Sequence, residues 1–317
     1  MKIALLDLKT LSDNDMPIER FAEFGELYCS NTLYGEDLKN FIKDKDIILC
    51  NRSVLTADVL SVCKNLKLIC LFATGFNNVD LDFCNEHNIT VCNVPGYSTE
   101  AVVQQAVCFL LMLAGNTEKY SAFVKAGRWS FTSGESYFPY SITRLKGKTI
   151  GLFGMGNMGK RMAEICSVFG MNVIYNCRHK KDVPYKYVDK NTLFSLSDFI
   201  SFHCPVNSQS ERLLNKETLD QCKTGVYIIN TARGGLIDEQ ALYNALIKGK
   251  VAGAAADVVT NEPLDDKSPL FKAPNMIFTP HTGWADYETR TELFERVYEN
   301  IKNFIGGHPT NVVNKKE

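Results

Sequence analysis

The sequence predicts an α/β protein whose parallel sheets are covered by helices on both faces. Three observations predict it. From Gly147 to Lys181 an apolar run, a glycine turn, a helical segment and a second apolar run follow one another in about thirty residues. Residues 1 to about 98 alternate short apolar runs with helical segments, the pattern of strands buried on both faces. Beyond the glycine turn, further β-rich runs each end in a turn rich in Gly, Pro, Asn or Thr.

Taken in order, Ile3–Leu6 reads as a first strand and Ile18–Phe24 as a short helix. Ile47–Cys50, Leu68–Phe72 and Thr90–Asn93 read as further strands, with helices at Ala57–Cys63 and Leu81–Asn85 between them. The turn Ala73-Thr74-Gly75-Phe76-Asn77-Asn78 leaves one of these strands at its carboxyl end, where open α/β sheets bind ligands. Pro95-Gly96-Tyr97 closes this unit. Ser98 or Thr99 can cap a helix from Glu100 to about Leu113, whose apolar residues cover most of its circumference, so burial and a linking role are expected of it. Ser121 to Ile142 reads as an irregular segment carrying Phe123, Trp129, Phe131, Tyr137, Phe138 and Tyr140, an arm suited to clasping a second subunit.

The central stretch has the context that the dinucleotide fingerprint requires. The strand Thr149–Phe153 runs into Gly154-Met155-Gly156-Asn157-Met158-Gly159, and a helix bearing Met162, Ile165, Val168 and Phe169 leads to the strand Val173–Tyr175. Gly154 suits a tight turn, Gly156 lets backbone approach a pyrophosphate, and Gly159 allows close helix–strand packing. Asn157 and Met158 open the helix, whose free N–H groups and positive dipole end suit phosphates. An acid near the end of the second strand would bind a ribose 2′-hydroxyl. Here Cys177 stands at that place, followed by Arg178, His179, Lys180 and Lys181, with no acid before Asp182. Cations there suit a 2′-phosphate, so NADP(H) is preferred, without excluding NAD(H).

Strands then follow at Phe199–His203, Val226–Asn230, Val251–Val258 and Met276–Thr279, with a helix at Glu239–Lys248. Ala285 to Ile305 places Leu293, Val297, Ile301 and Phe304 on one helical face, and this helix is expected to cross back onto the N-terminal unit. Three strand-end turns carry chemistry: Asn230 to Asp238 with Arg233, Asp257 to Leu264 with Glu262, and Thr279 to Trp284 with His281. Parallel strands put all three turns on the edge that carries the glycine turn, so the three side chains can converge although 29 and 19 residues separate them.

Composition bounds the rest. The 317 residues suffice for two cores, and a net charge of −1 gives no reason to expect nucleic acid or a membrane surface. The 11 cysteines are odd in number, contain no CxxC and mostly lie inside apolar runs, and no zinc-ligand spacing occurs; a soluble protein of the reducing cytoplasm, without a metal, is expected. MKIALLDLKTL is broken by Asp7 and reads as a strand rather than a signal peptide.

Together ATGFNNVD, the GMGNMG turn, HCP at His203–Pro205, NTARGG, DVVTNEPL and TPHTGWA resemble the D-isomer-specific 2-hydroxyacid dehydrogenases along essentially the whole chain, above all the glycerate dehydrogenase/hydroxypyruvate reductase and glyoxylate reductase branch. The resemblance implies two flavodoxin/Rossmann-like doubly wound parallel-sheet domains, with a dinucleotide domain at 99–284 inserted into a substrate domain of 1–98 and 285–317. It implies reduction of a small 2-keto acid, hydroxypyruvate or glyoxylate, by NAD(P)H, and the aromatic arm adds the expectation of a homodimer joined through the 99–145 region. His281 is the natural proton donor, Glu262 would fix its tautomer, and Arg233 would hold the substrate carboxylate. The resemblance adds the N–H groups of Thr74 and Gly75 to the carboxylate site, sets Asp257 against the nicotinamide carboxamide, and lines the cofactor site with Thr231, Ala232, Gly283 and the segment holding Cys204 and Pro205. Arg52 in NRSVLT leaves open a phosphorylated substrate, as in 3-phosphoglycerate dehydrogenases, and pocket rotamers leave open an aromatic or branched keto acid. A nucleotide-sensing corepressor scaffold is the alternative of another class. The pair Gln104-Gln105 departs from the Glu-His or Gln-His of relatives.

Overall fold

The computed structural model describes residues 1–131 and 137–314. The chain divides into two compact units, one of Met1–Tyr97 with Ala285–Glu317 and one of Ser98–Trp284.

The first unit holds a five-stranded parallel sheet of order β2-β1-β3-β4-β5, from β1 (Lys2–Leu5), β2 (Glu26–Cys29), β3 (Ile47–Cys50), β4 (Leu68–Leu71) and β5 (Thr90–Cys92). Helices α1 (Leu8–Leu11), α2 (Gly35–Ile42), α3 (Ala57–Leu60) and α4 (Leu81–Glu86) connect the strands, with a 3₁₀ segment at Ile18–Phe24. Every residue of β3 and β4 is buried, as a parallel strand covered on both faces requires. By contrast β2, which the sequence reading missed, alternates little and is largely exposed, because it is an edge strand. Helix α3 stops at Leu60 rather than Cys63, since Cys63 N–H already bonds the Leu60 carbonyl at 3.0 Å.

The second unit begins with α5 (Thr99–Gly115) and α6 (Thr117–Lys125), followed by a 3₁₀ turn at Arg128–Phe131. Its seven-stranded parallel sheet, of order β12-β11-β10-β9-β6-β7-β8, comprises β6 (Thr149–Phe153), β7 (Asn172–Asn176), β8 (Lys186–Tyr187), β9 (Phe199–Phe202), β10 (Val226–Asn230), β11 (Val251–Ala256) and β12 (Met276–Phe278). Around it stand α7 (Asn157–Val168), α8 (Lys190–Leu196), α9 (Lys216–Gln221) and α10 (Glu239–Ile247). Alternate residues of the strands face two cores. Ile150, Leu152, Val173 and Tyr175 pack with α5 and α7, while Phe153, Ile174, Ile200, Phe202 and Ile228 pack with α8, α9 and α10.

The last helix, α11 (Tyr287–Ile305), is capped by Asp286, whose side chain accepts from Thr289 N–H, and belongs to the first unit. It buries Leu293, Phe294, Val297 and Ile301, with the Phe294 and Phe72 ring centroids 4.8 Å apart. Each such side chain contributes about 1.5–3 kcal/mol by burial.

Two expectations change here. Helix α5 is not buried all round: Val103, Phe109 and Leu110 are inside, but Gln104, Cys108 and Leu111 are exposed, so a stripe that is polar at Gln104 and apolar at Cys108 and Leu111 is left on the surface of the chain. The aromatic segment expected to be irregular from Ser121 is helical as far as Lys125, where α6 ends, and residues 132–136 of it lie outside the described residues. Trp129, Tyr137, Phe138 and Ile142 in it are exposed.

Candidate active site and nicotinamide-nucleotide site

The three neighbouring strands β10, β11 and β12 deliver the three turns singled out in the sequence. At the end of β10 the buried Asn230 side chain accepts from Ala232 N–H at 3.1 Å and donates to the Arg233 carbonyl at 2.9 Å, so the strand holds its own exit turn. Arg233 is extended and exposed, and its Nη1 donates to the Ala232 carbonyl at 2.7 Å.

From β11, the buried Asp257 carboxylate accepts from Thr282 N–H at 2.9 Å and Gly283 N–H at 2.8 Å, and from the Thr279 hydroxyl. Thr279 in turn accepts from Gln105 Nε2 on α5 at 3.3 Å. Asp257 and Gln105 therefore fix the turn of His281 from two sides, which gives Gln105 a place that its sequence context did not suggest. His281 itself lies in the left-handed region, at φ 57°. A non-glycine residue there is uncommon and needs such bracing.

His281 and Glu262 meet. Nδ1 of His281 lies 2.6 Å from Oε2 of Glu262. A carboxylate only accepts, so Nδ1 carries the hydrogen and Nε2 is left to exchange a proton with a ligand. The two side chains are 30% and 25% exposed respectively, enough for a ligand to reach them. Thus the structure joins Glu262 to His281 directly, while the Arg233 guanidinium bonds within its own turn.

At β6 the glycine turn has the shape of a phosphate cradle. Gly154 sits at φ 102°, and a Cβ there would lie 2.4 Å from the His203 carbonyl oxygen. A Cβ on Gly159 would lie 2.1 Å from the Gly154 carbonyl oxygen, so helix and strand touch backbone to backbone. Gly156, the N-cap of α7, faces open space, as an approaching pyrophosphate needs. Asn157, Met158 and Gly159 follow as first-turn residues, whose N–H groups find no partner within a helix. Two buried polar atoms at the ends of β9 and β10, His203 Nδ1 and Thr231 Oγ1, lack partners. They fit a bound polar ligand at this edge. His203 Nε2 pairs with Ser201 Oγ at 2.9 Å, and burial pushes its imidazole down to about 4. Cys204 beside it is pushed up to about 11 by burial, so it is an inert thiol rather than a nucleophile. Pro205 is exposed and Ala232 half-buried.

After β7 the turn Cys177–Lys181 is shaped by two tyrosines. The fully buried Tyr175 hydroxyl accepts from Lys181 N–H at 2.9 Å and donates to its carbonyl at 3.0 Å, and Tyr187 donates to the Cys177 carbonyl at 3.4 Å. Arg178, His179 and Lys180 are exposed on it, and the Cys177 thiol donates to the His179 carbonyl. In the first unit, Thr74 Oγ1 donates to the Val94 carbonyl, and Asn93 Nδ2 to the Thr74 carbonyl, so the turn of Thr74 and Gly75 is tied to the end of β5. Arg52 is exposed on the turn after β3. Among the described residues no group of His, Cys, Asp and Glu could hold a metal ion, and no helix is long and apolar enough to cross a membrane.

A parallel sheet with a glycine cradle at one strand end and a histidine–carboxylate pair at another fits an oxidoreductase that uses a nicotinamide nucleotide. The family of D-isomer specific 2-hydroxyacid dehydrogenases, through its NAD binding domain, matches residues 107–283. A hydroxypyruvate reductase of Blautia hydrogenotrophica is 35% identical over 322 aligned positions, covering 99% of this chain and 100% of that protein. The crystal structure of a protein from Thermus thermophilus superposes with a TM-score of 0.90 at 31% identity, covering 99% of this chain and 100% of the other. An acyclic imino acid reductase in complex with NADPH and D-Arg superposes with a TM-score of 0.87 at 28% identity, covering 99% of this chain and 100% of the other. The chain belongs to the D-isomer-specific 2-hydroxyacid dehydrogenase family.

Proposed function

We propose that the chain reduces a small 2-keto acid, hydroxypyruvate first and glyoxylate next, to the D-2-hydroxy acid, with NADPH preferred over NADH. The observation that carries this reading is the His281–Glu262 pair at 2.6 Å, held by the Asp257-braced turn on the sheet that also bears the glycine cradle. The similarity to a hydroxypyruvate reductase along nearly the whole chain supports the substrate.

When bound, the dihydronicotinamide supplies a hydride. The protein's own residues do the remainder. His281 Nε2 gives its proton to the carbonyl oxygen as charge develops there, and Glu262 at Nδ1 stabilises the imidazolium before transfer and the correct tautomer after it. Arg233 exchanges its bond to the Ala232 carbonyl for one to the substrate carboxylate and polarises the adjacent carbonyl. Backbone N–H groups of Thr74 and Gly75 add donors to the carboxylate, and Arg52 sits on a neighbouring turn of the same unit. Residues 99–284 serve as the dinucleotide domain, and 1–98 with 285–317 as the substrate domain. Thr231, Ala232, Gly283, Cys204 and Pro205 line the nicotinamide side, and Asp257 orients it through the Gly283 turn. At the other end Arg178, His179 and Lys180 meet a 2′-phosphate, on a turn that offers a ribose no carboxylate.

Turnover is expected to rank hydroxypyruvate and glyoxylate above aromatic 2-keto acids such as phenylpyruvate, measured as kcat/KM from nucleotide oxidation. The reverse order would move the substrate to the aromatic class while keeping the chemistry.

The exposed Cys108 and Leu111 of α5 and the exposed Trp129, Phe138 and Ile142 support a homodimer formed through residues 99–145. Sedimentation equilibrium should then return twice the chain mass of 35.6 kDa, and a monomer at micromolar concentration would contradict it.

A further inference from the structure

The first unit has the flavodoxin-like order β2-β1-β3-β4-β5, in which the chain reverses direction across the sheet between β1 and β3. Doubly wound sheets bind ligands at that point, beyond the carboxyl ends of the two strands. Here the place is filled by the chain itself. Asp7, two residues past β1, has no exposed surface, and its Oδ2 accepts from three successive backbone N–H groups of the turn after β3: Asn51 at 3.1 Å, Arg52 at 2.9 Å and Ser53 at 2.8 Å. Its Oδ1 accepts from Ser53 Oγ at 2.9 Å.

Successive N–H groups turned to one point form an anion-binding nest. A buried carboxylate without such donors would be costly, and with them it is the strongest tie available to that turn. Asp7 also stands in the left-handed region at φ 63°, a conformation that glycine or asparagine adopts as easily, so the carboxylate rather than the backbone accounts for an aspartate there. From the other side Asn78, in the turn after β4, donates Nδ2 to the Ser53 carbonyl at 2.9 Å and to the Asn51 carbonyl at 3.4 Å. Asn51 Nδ2 donates to Thr10 Oγ1 at 2.9 Å. The turn 51–53 is thus clamped by the segments that follow β1 and β4, and the second of these carries Thr74 and Gly75.

We infer that Asp7 is a positioning residue for keto-acid recognition: its carboxylate occupies the nest of the 51–53 turn, which fixes Arg52 and ties it to the Thr74–Asn78 turn. The inference rests on the reading of the first unit as the substrate-binding one. It has a further consequence, because the nest amides are already bonded to an internal anion and do not capture a substrate phosphate. The clamp therefore favours an unphosphorylated keto acid over a phosphorylated one.

The test compares wild type with Asp7→Asn and Ser53→Ala in steady-state kinetics and thermal melting. Asn keeps the size and the backbone preference but puts an amide nitrogen or a weaker acceptor before the three N–H groups. KM for hydroxypyruvate should rise roughly tenfold in Asp7→Asn, the scale of effect that misplacing a binding group produces. Ser53→Ala, which removes one bond and spares the nest, should raise it about two- to threefold. KM for NADPH should stay at its wild-type value in both, a split that general loss of stability would not produce. If Asp7→Asn does not fold, Ser53→Ala carries the test. Should another 2-keto acid be turned over faster than hydroxypyruvate, the comparison is made with that one. An active wild type with unchanged keto-acid KM in the folded variants, whatever their melting temperatures, overturns the role of Asp7 alone. A wild type inert toward every 2-keto acid overturns the functional reading and the inference with it.

Discussion

Replacing His281 with Gln should lower kcat for keto-acid reduction by about three orders of magnitude, within the range that a positioned general acid supplies. Gln can still donate to Glu262, so the turn braced by Asp257 keeps its hydrogen bonds, and what disappears is the transferable proton on Nε2. The loss corresponds to about 4 kcal/mol of transition-state stabilisation. NADPH affinity, read by fluorescence titration, should be almost unchanged, because the site proposed for the phosphates is the glycine turn at β6 rather than the end of β12. Activity in this variant near the wild-type level would remove His281 as the proton donor. Glu262→Gln should fall between the two proteins, since the amide holds the ring without stabilising its charge.

Arg233→Gln is expected to reduce kcat/KM by about two to four orders of magnitude, as two charge-assisted hydrogen bonds are lost from substrate and transition state. The guanidinium now bonds a neutral carbonyl, that of Ala232, and replacing that acceptor with a carboxylate is favourable, so the residue can serve a substrate without unmaking its turn. Asn230 continues to hold the turn in the variant, through the Ala232 amide and the backbone carbonyl of residue 233. Loss should therefore appear in both KM and kcat while the melting temperature moves little. An unaltered KM for the keto acid would contradict the carboxylate role. Lysine should recover only part of the activity, because a point charge does not reproduce the planar fork.

Much of the architecture was legible because parallel strands are covered on both faces and write themselves as apolar runs. The strands β3, β6 and β10 begin and end where those runs do. What escaped lies at edges and surfaces. The exposed β2 offers only the three-residue run Leu27-Tyr28-Cys29, and the two-residue β8 and the short polar helices α2, α8 and α9 carry no continuous apolar signal. The exposed stripe of α5 escaped for a different reason: a mostly apolar helix reads alike whether the chain covers all of it or leaves one stripe bare. At the site, residue types and strand-end positions were enough to single out Arg233, Glu262 and His281. Their supports were not legible, because a hydrogen bond from Gln105 to Thr279 spans 174 residues and leaves no local pattern. The same holds for Asp7, where the only trace is an acid that interrupts the first apolar run.

The most direct test of the central claim is steady-state reduction of hydroxypyruvate by the wild-type protein at pH 7, with NADPH and NADH compared side by side. Turnover with a lower KM for NADPH is the predicted result, and it would support the His281–Glu262 site and the Arg178–Lys180 turn together. Turnover with NADH preferred would keep the site and overturn the reading of the basic turn. No turnover with either nucleotide would contradict the proposed reaction itself.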